Sequence, residues 1–185
     1  FLAGINRLFS EPTPDPSERL RLLYLSPLRA LNYDIERNLR APLQGIRRHA
    51  ALLGIDVPEI TVGVRTGDTP QSERQRQKRT PPDIFITTPE SLYVMLTSGT
   101  RELFDDVQGV IVDEIHALAS NKRGTHMAFS LERLAMRVRE AAVERGEEPR
   151  EFQRIGLSAT QRPIERIAAF LGGTGRHVTT IDTPG

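Results

Sequence analysis

Two consecutive carboxylates, Asp113 and Glu114, follow the apolar run Val107 to Val112. Adjacent side chains at the end of a buried strand point in different directions. One can therefore hold Mg²⁺ through its water shell while the other orients and polarises an attacking water, the arrangement that hydrolysis of a nucleoside triphosphate needs. An isolated Asp-Glu pair can equally cap the helix that follows a strand. Other polar clusters also end apolar runs: Ser26-Pro27 after Leu20 to Leu25, Thr66-Gly67-Asp68-Thr69 after Ile60 to Val64, Thr87-Thr88-Pro89-Glu90 after Asp83 to Ile86, and Ser158-Ala159-Thr160 after Arg154 to Leu157. Each of these is turn chemistry when taken alone.

The runs at 20–25, 60–64, 83–87, 107–112, 154–158 and 177–181 are short, apolar or β-branched, and bounded by Pro, Gly or polar residues, so each is expected to be a strand. Between them, Leu28, Leu31, Ile35, Leu39 and Leu43 recur at helical spacing, with Pro42 expected to kink or restart the helix. Thr88 is expected to cap a short helix from Pro89 to Thr97, because proline suits a first helical position where no backbone donor is needed. The longest amphipathic pattern runs from Thr125 to Val143, and a further helix is expected from Pro163 to Leu171, beginning at its proline. Alternation of helices with continuously apolar strands predicts an α/β fold: a mostly parallel sheet with helices on both faces. Ligands of such sheets gather at the carboxyl ends of the strands, where every polar cluster above sits.

With 185 residues, a single domain over 1–185 is expected. The chain has 38% apolar and 26% charged residues, which excludes a disordered or fibrous class. No run approaches the roughly 20 apolar residues that span a bilayer, so no membrane contact is expected. The absence of cysteine excludes disulfides and thiolate metal sites and fits a reducing cytoplasm. A net charge of +1 gives no global attraction to polyanions. The local excess at Arg65, Arg74, Arg76, Lys78 and Arg79 reads as a solvated helix face, and Lys122-Arg123-Gly124 as a solvated loop.

Asp113-Glu114-Ile115-His116 resembles motif II of DExH-type superfamily 2 helicases, and Ser158-Ala159-Thr160, about 45 residues on, resembles their motif III. Tyr24-Leu25-Ser26-Pro27-Leu28-Arg29-Ala30-Leu31 is similar to motif Ia, Thr66-Gly67-Asp68-Thr69 to motif Ib, and Thr87-Thr88-Pro89-Glu90-Ser91-Leu92 to the next motif that touches nucleic acid. The wording of these motifs most resembles the large helicase-related (Lhr) proteins, relatives of the Ski2-like helicases. The resemblance implies a RecA-like P-loop NTPase lobe that uses ATP and Mg²⁺. Asp113 would hold the metal, Glu114 would position the hydrolytic water, and His116 would pass the state of the nucleotide toward Ser158, Ala159 and Thr160. Pro27, Leu28, Arg29, Thr66, Gly67, Asp68, Thr88, Pro89 and Glu90 would line a groove for one strand of DNA or RNA. Arg29 would supply charge, Gly67 close approach, Thr66 and Thr88 hydroxyl donation, and Pro89 a phosphate-facing helix end. Such backbone contact carries no sequence information and does not distinguish DNA from RNA.

The phosphate-cradling pattern G-x-x-x-x-G-K-[ST] does not occur in these 185 residues. The segment from Phe1 to Phe9 resembles the apolar helix after that loop, which implies a chain that starts a few residues late. The second RecA-like lobe, where the family places arginines that complete the ATP site, is expected as a partner from the same full-length protein. These 185 residues alone are therefore expected to have no appreciable ATPase. The leading expectation is a fragment of an ATP-driven helicase. The alternatives are a non-catalytic nucleic-acid-binding lobe and a duplex translocase that does not unwind.

Overall fold

Five strands, β1 (Leu22–Leu25), β2 (Val62–Arg65), β3 (Ile84–Thr87), β4 (Gly109–Val112) and β5 (Gln153–Gly156), form one sheet. The computed structural model describes residues 2–12, 14–159 and 163–182, and of residues 17 and 29–31 the backbone alone. Every pairing is parallel and the order is β2-β3-β1-β4-β5. Parallel neighbours need a crossover between them. Those crossovers run through α2 (Arg29–Leu52), α3 (Gln71–Arg79), α4 (Pro89–Leu96), and the pair α5 (Ile115–Ala119) and α6 (Lys122–Glu144), with α1 (Leu2–Ser10) before them and α7 (Ile164–Gly172) after.

β1, β3 and β4 are buried at every position, which is why their sequences are continuously apolar. Successive side chains point to opposite faces. Leu23, Leu25, Phe85, Val110 and Val112 join Leu92, Met95, Met127, Leu131 and Leu134 in the larger core. Leu22, Tyr24, Ile84, Ile86 and Ile111 join Ile5, Leu8, Leu39 and Leu43 in the other. At the amino ends, the buried carboxylate of Asp83 accepts hydrogen bonds from Arg19, Arg21 and both the amide and hydroxyl of Thr61, tying three strands together. The opposite edge is left to the polar loops.

Several expectations are corrected. α2 runs through Pro42 without interruption. Pro42 sits on the exposed side of the helix while Leu39 and Leu43 face the core, so the carbonyl it fails to serve, at exposed Asn38, meets water. Residues 177–181 form no strand; with β5 and α7 they line a cavity of 850 Å³. Pro163 is the residue before α7 rather than its first member, and its φ of −81° and ψ of 134° are extended. Lys122-Arg123-Gly124 is not a loop but the first turn of α6, capped by the Asn121 side chain on the Gly124 amide at 3.2 Å.

Candidate functional site

Asp113 extends the β1 ladder one step past β4, its amide donating to the Leu25 carbonyl at 2.9 Å. The chain then turns sharply. Glu114 is left-handed, with φ 47° and ψ 39°, the one non-glycine residue with positive φ among the described residues. That conformation costs about 1–3 kcal/mol and persists only where neighbours enforce it. Here the Glu114 amide donates to Asp113 Oδ1 at 3.0 Å and the Ile115 amide donates to the Leu157 carbonyl at 3.0 Å. The turn separates the two carboxylates, and the Glu114 side chain makes no cap bond to α5. Simple helix capping therefore does not account for the pair.

Tyr24, on the neighbouring strand, forms a side-chain hydrogen bond with Asp113. Burial pushes the Tyr24 hydroxyl well above its usual range, and the Asp113 bond and the charges of Asp113 and Glu114 push it the same way. It stays a protonated donor. Asp113 is thus oriented from two sides. Sequence reasoning placed Tyr24 in a strand and at the start of the segment similar to motif Ia but missed this role; the available signal was a lone hydroxyl within an otherwise apolar run.

His116, in the first turn of α5, lies between Glu114 and β5. Its Nε2 is 3.3 Å from Glu114 Oε2, and its Nδ1 is 3.3 Å from the Ser158 hydroxyl. The Ser158 hydroxyl also lies 2.9 Å from the Ala159 carbonyl. The Ser158 hydroxyl thus lies between the Ala159 carbonyl and an imidazole nitrogen that donates or accepts according to its tautomer, an arrangement that can rearrange when one of them changes. Thr160 lies outside the described residues.

Three further loops end at the same edge. Ser26 donates its amide to the Thr87 carbonyl at 3.1 Å, which brings the turn at Pro27 against the start of α4. Pro27 is buried and Leu28 is exposed, and Arg29 opens α2. Gly67 and Asp68 are exposed at the tip after β2, held by Arg74, which donates to the Thr69 and Gly67 carbonyls at 2.8 and 2.7 Å. Thr66 and Thr88 sit at the bases of these loops. Both are buried, and their hydroxyls accept from the amides of Asp68 and Ser91 at 3.3 Å each. These side chains shape their loops, and among the described residues Leu28, Gly67, Asp68 and Glu90 are exposed there. Thr88 caps α4 as expected, with Pro89 buried at its first position.

Among the described residues no group of three or more metal-ligating side chains occurs. Asp113, a single carboxylate oriented by the Tyr24 hydroxyl and the Glu114 amide, has the donor chemistry of a Mg²⁺ ligand, since Mg²⁺ is usually held by one or two carboxylates together with water and phosphate oxygens. No helix among the described residues is long and apolar enough to cross a membrane.

Residues 1–167 match the DEAD/DEAH box helicase family. The chain is 52% identical over 184 residues to the Lhr helicase/probable uracil glycosylase of Mycolicibacterium smegmatis, covering 100% of this chain and 11% of that protein. It is 48% identical over 184 residues to the ATP-dependent helicase Lhr-Core of Methanocaldococcus jannaschii, covering 98% of this chain and 20% of that protein. Among solved structures, it is similar to Mycobacterium smegmatis helicase Lhr bound to ssDNA and AMP-PNP, with a TM-score of 0.80 and 50% identity, covering 94% of this chain and 20% of the other. The chain thus spans between 11% and 20% of the length of these relatives.

Proposed function

Because this chain belongs to the DEAD/DEAH box helicase family, we propose that it is the first RecA-like motor lobe of an Lhr-type, ATP-dependent helicase that moves along one strand of DNA or RNA. The observation that carries this reading is the unbroken contact path from Glu114 through His116 to Ser158, at the edge where the Pro27, Gly67 and Pro89 loops also end. A lobe that only bound nucleic acid would have no physical use for a strained acidic residue wired to a neighbouring strand. The Lhr relatives' names and the AMP-PNP and ssDNA of the similar solved structure support the same reading.

Magnesium-bound ATP, when present, supplies the phosphoryl group and the charge neutralisation, with Asp113 holding the metal through its water shell. Tyr24 and the Glu114 amide hold Asp113 in one orientation. Glu114 orients the attacking water and accepts its proton. His116 fixes Glu114 and passes a change there to Ser158. The loops around Pro27, Gly67 and Pro89 follow the nucleic-acid backbone, with the α4 amino end facing phosphate. The second lobe of the full-length protein would close the nucleotide site.

In the full-length protein, single-stranded nucleic acid should stimulate ATP hydrolysis, and Glu114→Gln should reduce turnover by roughly 10²- to 10⁴-fold while nucleotide still binds. Retained turnover in that variant would sink the proposed chemistry. Unwinding of a tailed duplex separates a helicase from a translocase that leaves strands paired.

A further inference from the structure

Arg123 joins two of the loops that the sequence leaves separate. Its Nε donates to Glu90 Oε1 at 2.6 Å and its Nη2 donates to the Pro27 carbonyl at 2.9 Å. One planar guanidinium thereby spans the turn after β1 and the first turn of α4. A lysine ammonium, a single point of charge, lacks that fork. The pair with Glu90 is about half exposed on both sides, at 47% and 48%, so it adds little to stability. Its consequence is positional.

The other end of Arg123 is anchored to the carboxylate motif. From Glu114 the chain passes through α5 to Asn121, whose Nδ2 donates to the Ala117 carbonyl at 2.6 Å and whose Oδ1 accepts from the Gly124 amide at 3.2 Å. Gly124 lies so close to α5 that an added Cβ would come within 1.8 Å of the Leu118 carbonyl oxygen. α5 and the first turn of α6 are therefore one stiff elbow, with Glu114 at one end and Arg123 at the other.

We propose that Arg123 is a positioning residue that fixes the Pro27 turn and the amino end of α4 relative to the Asp113-Glu114 carboxylates, so that nucleic acid at the loops and nucleotide at the carboxylates act on one rigid piece. The proposal rests on the motor-lobe reading above. It also gives Glu90 a role that plain electrostatics does not. A carboxylate in the first turn of α4 stands where a phosphate would approach, and its removal alone should favour phosphate binding. If Glu90 instead holds Arg123 in place, its removal should weaken the response to nucleic acid.

The test uses the intact protein and reads the concentration of a single-stranded oligonucleotide, in DNA and RNA forms, that half-maximally stimulates ATP hydrolysis. Arg123→Ala should raise that concentration roughly fivefold or more, and Arg123→Lys should not restore it. Glu90→Ala should raise it too, and the double variant should be no worse than the weaker-responding single variant. Should Arg123→Ala fail to fold, Glu90→Ala carries the test by itself. Tighter response in Glu90→Ala, additive effects in the double variant, or full rescue by lysine would each overturn the proposal. If the parent protein shows no stimulation, the motor reading itself fails. If the parent is stimulated and Arg123→Ala matches it, only the role of Arg123 fails.

Discussion

His116 Nε2 sits 3.3 Å from Glu114 Oε2, although the two residues leave the strand through a left-handed turn that would otherwise part them. The contact exists because α5 starts at once, returning the side chain two positions on toward the carboxylate. His116 should accordingly matter for coupling more than for nucleotide affinity. In the full-length protein, His116→Ala is expected to lower nucleic-acid-stimulated turnover by roughly 2- to 30-fold, the equivalent of about 0.5–2 kcal/mol, with nucleotide affinity nearly unchanged. Equal losses in affinity and turnover would show that the ring serves the nucleotide pocket itself.

Tyr24→Phe removes one hydroxyl while leaving the ring that fills the core between α1, α2 and the sheet. Among the described residues, Asp113 then keeps the Glu114 amide at 3.0 Å as an orienting donor. A hydrogen bond to a charged group is worth roughly 1.5–3 kcal/mol, so the Mg²⁺ concentration for half-maximal hydrolysis should rise several-fold in Tyr24→Phe. A Mg²⁺ titration that superimposes on the parent's would dismiss Tyr24 as an orienting group.

Gly124→Ala tests the elbow between α5 and α6. The added methyl would lie 1.8 Å from the Leu118 carbonyl oxygen and 2.6 Å from its carbon, both backbone atoms that cannot swing aside. Helix interiors ordinarily favour alanine over glycine by about 1 kcal/mol, so propensity and packing predict opposite signs here. Packing should win, with a loss of roughly 2 kcal/mol or more, read as a lower thermal midpoint or poor soluble yield. A variant as stable as the parent would mean that the two helices are free to separate.

The carboxylate pair and the loops around it were legible in the sequence because each depends on neighbours along the chain: a strand, then a turn residue, then a cap. Thr88 and Pro89 at the start of α4 follow local rules, and the structure obeys them. What the sequence hid depends on partners far away in it. Tyr24 meets Asp113 only because β1 and β4 pair, and Arg123 reaches Pro27 and Glu90 only because α6 starts beside α4. The misread elements have the same cause. Residues 177–181 have the composition of a strand but line a cavity with β5 and α7 without pairing, and Pro42 is harmless because tertiary packing puts it on the wet side of α2. Thr66 and Thr88 are buried and their hydroxyls accept loop amides, contacts that depend on the folded turns rather than on residue type alone.

Acid should loosen the region beyond β5. Arg154 and Arg176 donate to Glu132 at 2.8 and 2.9 Å, and Arg176 also donates to Glu151 at 2.8 Å, linking α6, β5 and the segment after α7. Burial works against ionisation of Glu132, but the hydrogen bonds and charges of both arginines outweigh it and hold its carboxyl below the usual value of 4.5. For Glu151 the Arg176 hydrogen bond is the largest cause of a shift in the same direction. A folded-state value below the unfolded one means stability that is fully present above pH 4.5 and lost as pH falls through the lower folded values. Amide exchange over residues 164–178 of the intact protein, corrected for intrinsic rates, should therefore stay flat from neutral pH to about pH 5 and accelerate below about pH 4.5. Arg176→Ala should flatten that acid limb by removing the shared partner. Acceleration already between pH 7 and 6 would instead implicate a histidine, since glutamates held below their ordinary range remain ionised there.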